Sequence, residues 1–96
     1  MYYIKNREIL LIDPKEFGLS PRTLLGKYLN NVVLIKDRKS RIIMKDGKQI
    51  FKQIQLIKKY TLNSNVNFAT SAPACGKTIA FLKAKGIKIL SLKKRI

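Results

Sequence analysis

The stretch VNFATSAPACGKTIAFLKAKGIKIL, residues 66 to 90, contains two β-rich runs with a helical pattern between them. Its apolar positions Ala72, Cys75, Ile79 and Leu82 recur at helical spacing. Thr70 or Ser71 is a suitable N-cap, and a glycine at 86 is a typical helix stop. The stretch therefore predicts a strand, a helix near residues 72–85 and a second strand.

Gly-Lys-Thr at 76–78 resembles the end of a phosphate-binding loop. Such a loop requires a glycine five positions before the second one, where this chain has Ser71, because a wide loop of backbone amides must wrap the phosphates. A helix that begins near residue 72 also places Gly76 and Lys77 inside it. We therefore expect no ATPase, and we interpret Cys75 as a small buried apolar residue.

The charge of the chain is strongly one-sided. Its 96 residues include 21 Lys and Arg against 5 Asp and Glu, a formal charge of +16, which exceeds what solubility requires. This excess indicates a polyanionic partner, most commonly nucleic acid. The plainer alternative is a lysine-rich surface that is merely solvated.

Several protein classes are excluded by what the sequence lacks. Cys75 is the one cysteine and there is no histidine, which excludes an intrachain disulfide, a Cys/His zinc site and histidine acid–base catalysis. No apolar run reaches the length of a membrane span, and residues 1–12 do not resemble a signal peptide. We expect a cytoplasmic protein with no cofactor and no bound metal.

The first 31 residues have their own pattern. MYYIKNREILLID is β-leaning with a break at Asn6-Arg7, and DPKEFG is typical of a turn. In LSPRTLLGKYLNN, Ser20-Pro21 could start a helix, with Leu24, Leu25 and Tyr28 on one side of it. We predict a helix near residues 20–30 and a single domain over 1–96, in which 1–31 precedes a β-rich core over 32–96.

The middle of the chain is ambiguous. NVVLIKD and RIIMKDG are β-rich, and Asp46-Gly47 is a strong hairpin signal. In the segment after it, Ile50, Ile54 and Ile57 have helical spacing and Asp46 with Gln49 could form a capping box. The same segment also fits a strand covered on both faces. The pattern alone does not choose between helix and strand for residues 48–57.

Residues 41–95 resemble the N-terminal β-rich domain of the CRISPR-associated adaptation integrase. The matching pieces are RIIMKDGKQIF, NVNFAT, the helix on APACGKTIAFLKAKG, and GIKILSLKKR. The resemblance implies that residues 48–57 form the second arm of a hairpin and that residues 60–62 begin another strand. It also implies a role in dimer formation. The metal-binding Glu and His residues of the family lie in a helical domain that this sequence lacks, so no catalytic residue is carried over.

A restriction-endonuclease-like core is an alternative enzymatic interpretation. Asp37-Lys39 and Asp46-Lys48 have the acid-x-Lys spacing of its metal site, which requires two acids and a lysine converging at adjoining strand ends. Both pairs fall in predicted turns, where aspartate has a structural reason to occur. We therefore give this alternative less weight.

The sequence favours a small α+β domain, mainly of antiparallel strands with one or two short helices. We expect it to bind nucleic acid, DNA more than RNA, without catalysis. We expect contact with phosphates, because no set of side chains has base-reading spacing. The four tyrosines could stack on unpaired bases. A homodimer through strand residues 32–57 and a larger protein partner are further expectations, and an assembly protein without a nucleic-acid role is the alternative. The predicted nucleic-acid contacts are Lys36, Arg38, Lys39, Arg41, Lys58, Lys59, Lys93, Lys94 and Arg95.

Overall fold

The computed structural model of the chain describes residues 2–61 and 65–94. It begins with three short strands, β1 (Tyr2–Ile4), β2 (Arg7–Glu8) and β3 (Leu10–Ile12). The predicted break lies between β1 and β2, where Lys5 and Asn6 have positive φ. A short 3-10 helix, Pro14–Phe17, follows where DPKEFG predicted a turn.

The helix predicted near residues 20–30 is wrong. β4 (Leu24–Tyr28) forms an antiparallel hairpin with β5 (Asn31–Lys36). Ser20 does not cap a helix: its carbonyl and hydroxyl accept the N–H groups of Thr23 (2.9 Å) and Arg22 (3.3 Å), which makes a local turn. Pairing of the apolar residues on both sides of the hairpin outweighs the helical spacing, which is a weak preference.

Residues 48–57 lie in a helix, α1 (Met44–Tyr60), so the hairpin implied by the integrase resemblance is wrong. Ile50, Ile54 and Ile57 are almost completely buried on one side of α1, as their spacing predicts. Asp46 is the third residue of this helix, and its carboxylate accepts the N–H of Ile43, the N-cap, at 3.0 Å. The RIIMKDG strand is wrong for the same reason, since the helix starts inside it.

The βαβ prediction for the C-terminal part is confirmed. β6 (Val66–Thr70) and β7 (Ile89–Ser91) are parallel neighbours joined by α2 (Gly76–Ala84), and Gly86 has φ 77° beyond the helix end. The helix starts at Gly76 rather than near residue 72. The preceding loop is held in an extended path, because Ile42 pairs with Ala74 and exchanges backbone hydrogen bonds with Pro73 and Cys75.

Two sheets complete the α+β fold. The larger has the order β3-β4-β5-β6-β7, antiparallel up to β5 and parallel from there; the smaller has the order β2-β1-β8, where β8 is Lys93–Lys94. Side chains alternate along β5, so Val32 and Leu34 pack towards α1, whereas Val33 and Ile35 pack with residues of the smaller sheet and its neighbours. The core therefore has two layers, one on each face of the larger sheet.

Two further predictions need correction. Tyr60, expected to begin a strand over residues 60–62, ends α1 and Thr61 is its C-cap, whereas position 62 lies outside the described residues. A dimer cannot pair its strands through residues 32–57, because β5 is bonded on both sides and residues 44–57 are helical. Within the described residues, no helix combines the length and apolar character needed to cross a membrane.

Candidate nucleic-acid interface

Basic side chains gather at the carboxyl end of the parallel strands. Lys36 is the last residue of β5 and pairs in register with Thr70, the last of β6, which in turn pairs with Ser91. The chain leaves β5 through the loop 37–43, which carries Arg38, Lys39 and Arg41. We call Lys36, Arg38, Lys39 and Arg41 the strand-end cluster.

Arg38 is committed to contacts inside this loop. Its Nε donates to the carbonyl of Ser40 (3.2 Å) and its Nη2 to the carbonyl of Arg41 (3.0 Å). The same Nη2 makes an ion pair with Oδ2 of Asp46, in the first turn of α1. Hydrogen bonds from Arg38 and from the Ile43 N–H hold the pKa of Asp46 below its usual range. Arg38 thus fastens the loop to α1 rather than offering a free charge to a ligand.

Lys36 lies half-buried between the loop and α1. Burial lowers the pKa of Lys36 and the Arg38 charge lowers it further, whereas Asp46 raises it. A small cavity of about 50 Å³ adjoins it, lined also by Ile42, Gln49 and others. The charge of Lys36 is therefore less available to a bound phosphate than the charges of exposed Lys39 and Arg41.

Asp37 and Asp46 lie on opposite sides of the end of β5. Asp37 accepts hydrogen bonds from Ser71 Oγ (2.9 Å) and from the hydroxyl of Tyr2 (3.1 Å), a residue of the smaller sheet. Asp46 lies on the α1 side. The two acids of the endonuclease alternative therefore hydrogen-bond to different parts of the protein, Asp37 to Ser71 and Tyr2 and Asp46 to Arg38 and the Ile43 N–H. Across residues 2–61 and 65–94, no group of three or more Cys, Asp or Glu residues is placed to hold a metal ion.

The remaining predicted contacts are not all brought together. Exposed Lys93 follows Leu92, whose N–H donates to the Thr70 carbonyl (3.0 Å), so Lys93 lies at the same end of the sheet as the strand-end cluster. Lys58 and Lys59 are in the last turn of α1, about 20 Å along the helix from its first turn. The backbone of Lys94 pairs with Tyr2, and Arg95 lies outside the described residues.

The helix α2 begins with the Gly-Lys-Thr motif, so the prediction that Gly76 and Lys77 lie inside a helix begun near residue 72 is wrong, whereas Ser71 still replaces the first glycine of a phosphate-binding loop. The loop before the motif is nevertheless engaged internally: the N–H of Ala72 donates to Thr70 Oγ1 (3.0 Å), and the N–H of Cys75 donates to the Ile42 carbonyl (3.0 Å). Those two amides are unavailable to a phosphate. Wide wrapping of phosphates by this loop is therefore opposed by its own hydrogen bonds.

Cys75 is the N-cap of α2 and is half-exposed, not buried as expected. Its Sγ lies 2.8 Å from Oγ1 of Thr78, which is completely buried. The hydrogen bond with the Thr78 hydroxyl lowers the pKa of the Cys75 thiol most, and a hydrogen bond with the backbone amide of Thr78 lowers it further. Neither feature could be seen in the sequence, because both depend on where α2 starts.

The tyrosines are divided between core and surface. Tyr2 and Tyr28 are half-buried and pack against the core layer between the larger and the smaller sheet. Tyr60 is 60% exposed, and its ring meets Phe17 edge-on at 6.2 Å at the far end of α1. The hydroxyl of Tyr2 donates to Asp37 in the loop 37–43 (3.1 Å), so this tyrosine reaches the loop with its hydroxyl.

The fold is shared with part of EndoMS. The chain is similar to EndoMS in its apo form (TM-score 0.65, 12% identity over 95% of this chain) and to EndoMS in complex with double-stranded DNA (TM-score 0.70, 14% identity over 96%). It spans 38% and 40% of those chains. No protein-family model and no curated protein sequence matches it. At this identity the likeness establishes the fold.

The ion pair of Asp46 with Arg38 was not predicted from the amino-acid sequence. The sequence carried no clear signal of it, because the N-cap residue Ile43 has no side chain that can cap a helix. The partner, Arg38, could not be chosen from sequence among so many basic residues. Its assignment depends on the path of the loop 37–43.

Proposed function

We propose that the chain is a non-catalytic DNA-binding module in which Lys39 and Arg41, the exposed members of the strand-end cluster, contact the phosphate backbone together with Lys93. The observation that carries this proposal is the loop 37–43, which Arg38 fastens in one path and which presents Lys39 and Arg41 to solvent. An ordered loop loses less conformational freedom on binding than a mobile one. Both acids near it, Asp37 and Asp46, already hold hydrogen bonds within the protein.

The comparison with EndoMS supports the choice of DNA. One of the two similar structures is a complex with double-stranded DNA. The chain corresponds to about two fifths of that protein, so its activity is not transferred with the fold. Cytoplasmic location and action beside a larger protein partner are parts of the same proposal. The resemblance to the integrase domain stays a prediction.

The test compares two double variants with the same change of charge. Lys39→Ala/Arg41→Ala removes two charges from the strand-end cluster, and Lys58→Ala/Lys59→Ala removes two from the far end of α1. We expect the first to weaken binding of a mixed-sequence duplex about tenfold and to reduce the salt slope by about two units. We expect the second to weaken it less than about threefold, through long-range charge alone. Titration at two salt concentrations measures both quantities.

Equal losses in the two double variants would replace the defined surface with diffuse attraction, and undetectable binding at low salt would remove the DNA role. The endonuclease alternative has its own readout in the same samples. Duplex is incubated with Mg²⁺ or Mn²⁺, and we expect it to stay intact. Cleavage that disappears in Asp37→Asn or Asp46→Asn would show that these acids take part in a metal site.

We also propose a homodimer, now through the edge strand β3. Leu10 and Leu11 are 65% and 55% exposed there, and β3 has no strand on its outer side among the described residues. Open apolar edges favour pairing with another chain. Repulsion between two chains of charge +16 opposes it and weakens with salt. Sedimentation should show a dimer in moderate salt that Leu11→Lys converts to a monomer; a wild-type monomer at every concentration would refute the proposal.

A further inference from the structure

A large open groove lies beside β7, at the opposite edge of the larger sheet from β3. Its volume is about 990 Å³. The loop after β6, the outer side of α2 and β7 itself form its walls. The apolar part of its lining comprises Ala72, Pro73, Ala74, Ile79, Ile87, Ile89 and Leu90. The volume is in the range of protein binding sites, and the floor is suited to aliphatic side chains.

The groove runs along an open strand edge. β7 is the last strand of its sheet, and no described strand pairs with its outer side. The Lys88 carbonyl accepts from the Phe68 N–H (2.9 Å) and the Leu92 N–H donates to Thr70 (3.0 Å), so these groups face β6. Because hydrogen-bonding direction alternates along a parallel strand, the N–H and C=O of Ile89 and Ser91 face the groove.

The charge around the groove has one sign. Lys83 and Lys88 belong to its lining and are exposed. No Asp or Glu lines it, and none follows Asp46 in the sequence. An occupant with acidic side chains would therefore meet two lysines at the rim without repulsion from a carboxylate.

These features discriminate between classes of occupant. Single-stranded nucleic acid binds through aromatic platforms, and none of the described residues that line the groove is aromatic. A second copy would bring another +16 charge against the lysines. An extended peptide satisfies the open backbone groups, places alternate side chains on the apolar floor and can carry acids outward.

We propose that this groove binds an extended acidic segment of a partner protein, which adds a sixth strand to the sheet beside β7. Apolar residues of the segment would enter the groove, and the alternate acidic residues would pair with Lys83 and Lys88. The proposal does not depend on DNA binding, since the strand-end cluster contributes no side chain to this surface.

The probe is a fluorescent ten-residue peptide that alternates valine and glutamate, measured by anisotropy against the full chain. Control peptides are the valine–lysine analogue and a valine–glutamate peptide with alternate backbone nitrogens methylated, which cannot complete a strand ladder. Ser91→Pro removes an outward N–H from an exposed position and leaves the bonds to β6 intact. Lys83→Glu/Lys88→Glu reverses the rim charge, and circular dichroism confirms that each variant is folded.

We expect saturable binding of the valine–glutamate peptide, at least tenfold weaker binding after methylation or in Ser91→Pro, and a reversal of preference towards valine–lysine in Lys83→Glu/Lys88→Glu. Binding that ignores methylation and Ser91→Pro would be charge attraction alone and would overturn the added strand. Displacement of the peptide by an oligothymidine from wild type, but not from Lys39→Ala/Arg41→Ala, would also overturn it. So would self-association lost in Ser91→Pro, which would make a second copy the occupant.

Discussion

The two helices begin at neighbouring positions but complete their first turns differently. α1 follows β5 and α2 follows β6, and the Ile42–Ala74 bridge joins the segments that lead into them. The first turn of α1 has a carboxylate, Asp46, that binds a backbone N–H and Arg38. The first turn of α2 has no acid and closes with Cys75 and Thr78. The partial positive charge at the start of α1 is therefore met by the carboxylate of Asp46, whereas no carboxylate lies in the first turn of α2.

A glycine near each helix start sharpens this contrast. Gly47 is buried, and a Cβ added to it would lie 2.8 Å from Cγ2 of Thr78, in α2. A Cβ added to Gly76 would meet nothing within 4 Å. The first glycine is therefore required by the contact between the helices, whereas the second is not required by any neighbour.

The largest expected effect comes from Gly47→Ala. Alanine gains up to about 1 kcal/mol in helix propensity, but overpacking against buried Thr78 costs about 1–3 kcal/mol. The Thr78 side chain cannot easily change rotamer, because its hydroxyl is hydrogen-bonded with Cys75 Sγ. We expect a net loss of about 1–2 kcal/mol in the free energy of unfolding, measured with urea. Gly76→Ala, the matched control, should be neutral or stabilising by about 0.5 kcal/mol.

A double variant isolates the cause. Thr78→Ser removes Cγ2 and keeps the hydroxyl, so Gly47→Ala should cost about 1 kcal/mol less in that background. If the two substitutions are additive, the contact between the helices does not explain Gly47. A destabilising Gly76→Ala would show that the two helix starts are alike in their need for glycine.

These two helix starts also explain what the sequence could and could not predict. The βαβ unit and the buried face Ile50-Ile54-Ile57 follow from periodicity, which is a local property of the chain. Asp46-Gly47 predicts a hairpin by local turn statistics, yet the aspartate serves as a helix cap and the glycine as a contact surface for Thr78. The packing of α1 on α2 gives Gly47 that meaning, and the start of α1 at Met44 together with the path of the loop 37–43 gives Asp46 its partners.

The candidate site divides along the same line. Its charge and the segment 36–41 were predictable, because basic residues are visible in the sequence. Two features were not predictable. The ion pair of Arg38 depends on the path of the loop 37–43, and the distance of Lys58 and Lys59 from the cluster depends on α1 being a helix. The predicted helix over residues 20–30 failed because Gly26 and its neighbours pair with β5, and Ile9 lies where a Cβ on Gly26 would be.

Asp46→Asn has the smaller expected effect. It tests whether the carboxylate at the start of α1 contributes to DNA binding. Simple electrostatics predicts tighter binding, because the substitution raises the net charge by one. That gain is small, roughly 0.1–0.4 kcal/mol at about 10 Å in screened solvent. Releasing Arg38 from Asp46 loosens the loop that carries Lys39 and Arg41, and ordering even one residue again costs about 1 kcal/mol. We therefore expect duplex binding about threefold weaker, with an unchanged salt slope, measured by the same titration.

Glu16→Gln is the control, because it makes the same change of charge in the 3-10 helix, which lies against α1 near Phe17 and Tyr60 rather than at the loop. It should leave binding unchanged or slightly tighter. In Asp46→Asn the new amide side chain keeps an oxygen for the Ile43 N–H, so a large loss of stability is not expected and thermal unfolding checks this. Tighter binding by Asp46→Asn, with a steeper salt slope, would mean that a freed Arg38 becomes a phosphate contact itself. In that case Asp46 keeps Arg38 away from DNA instead of ordering the loop that carries Lys39 and Arg41. The start of α1 would then differ from the start of α2 by lowering the affinity for DNA.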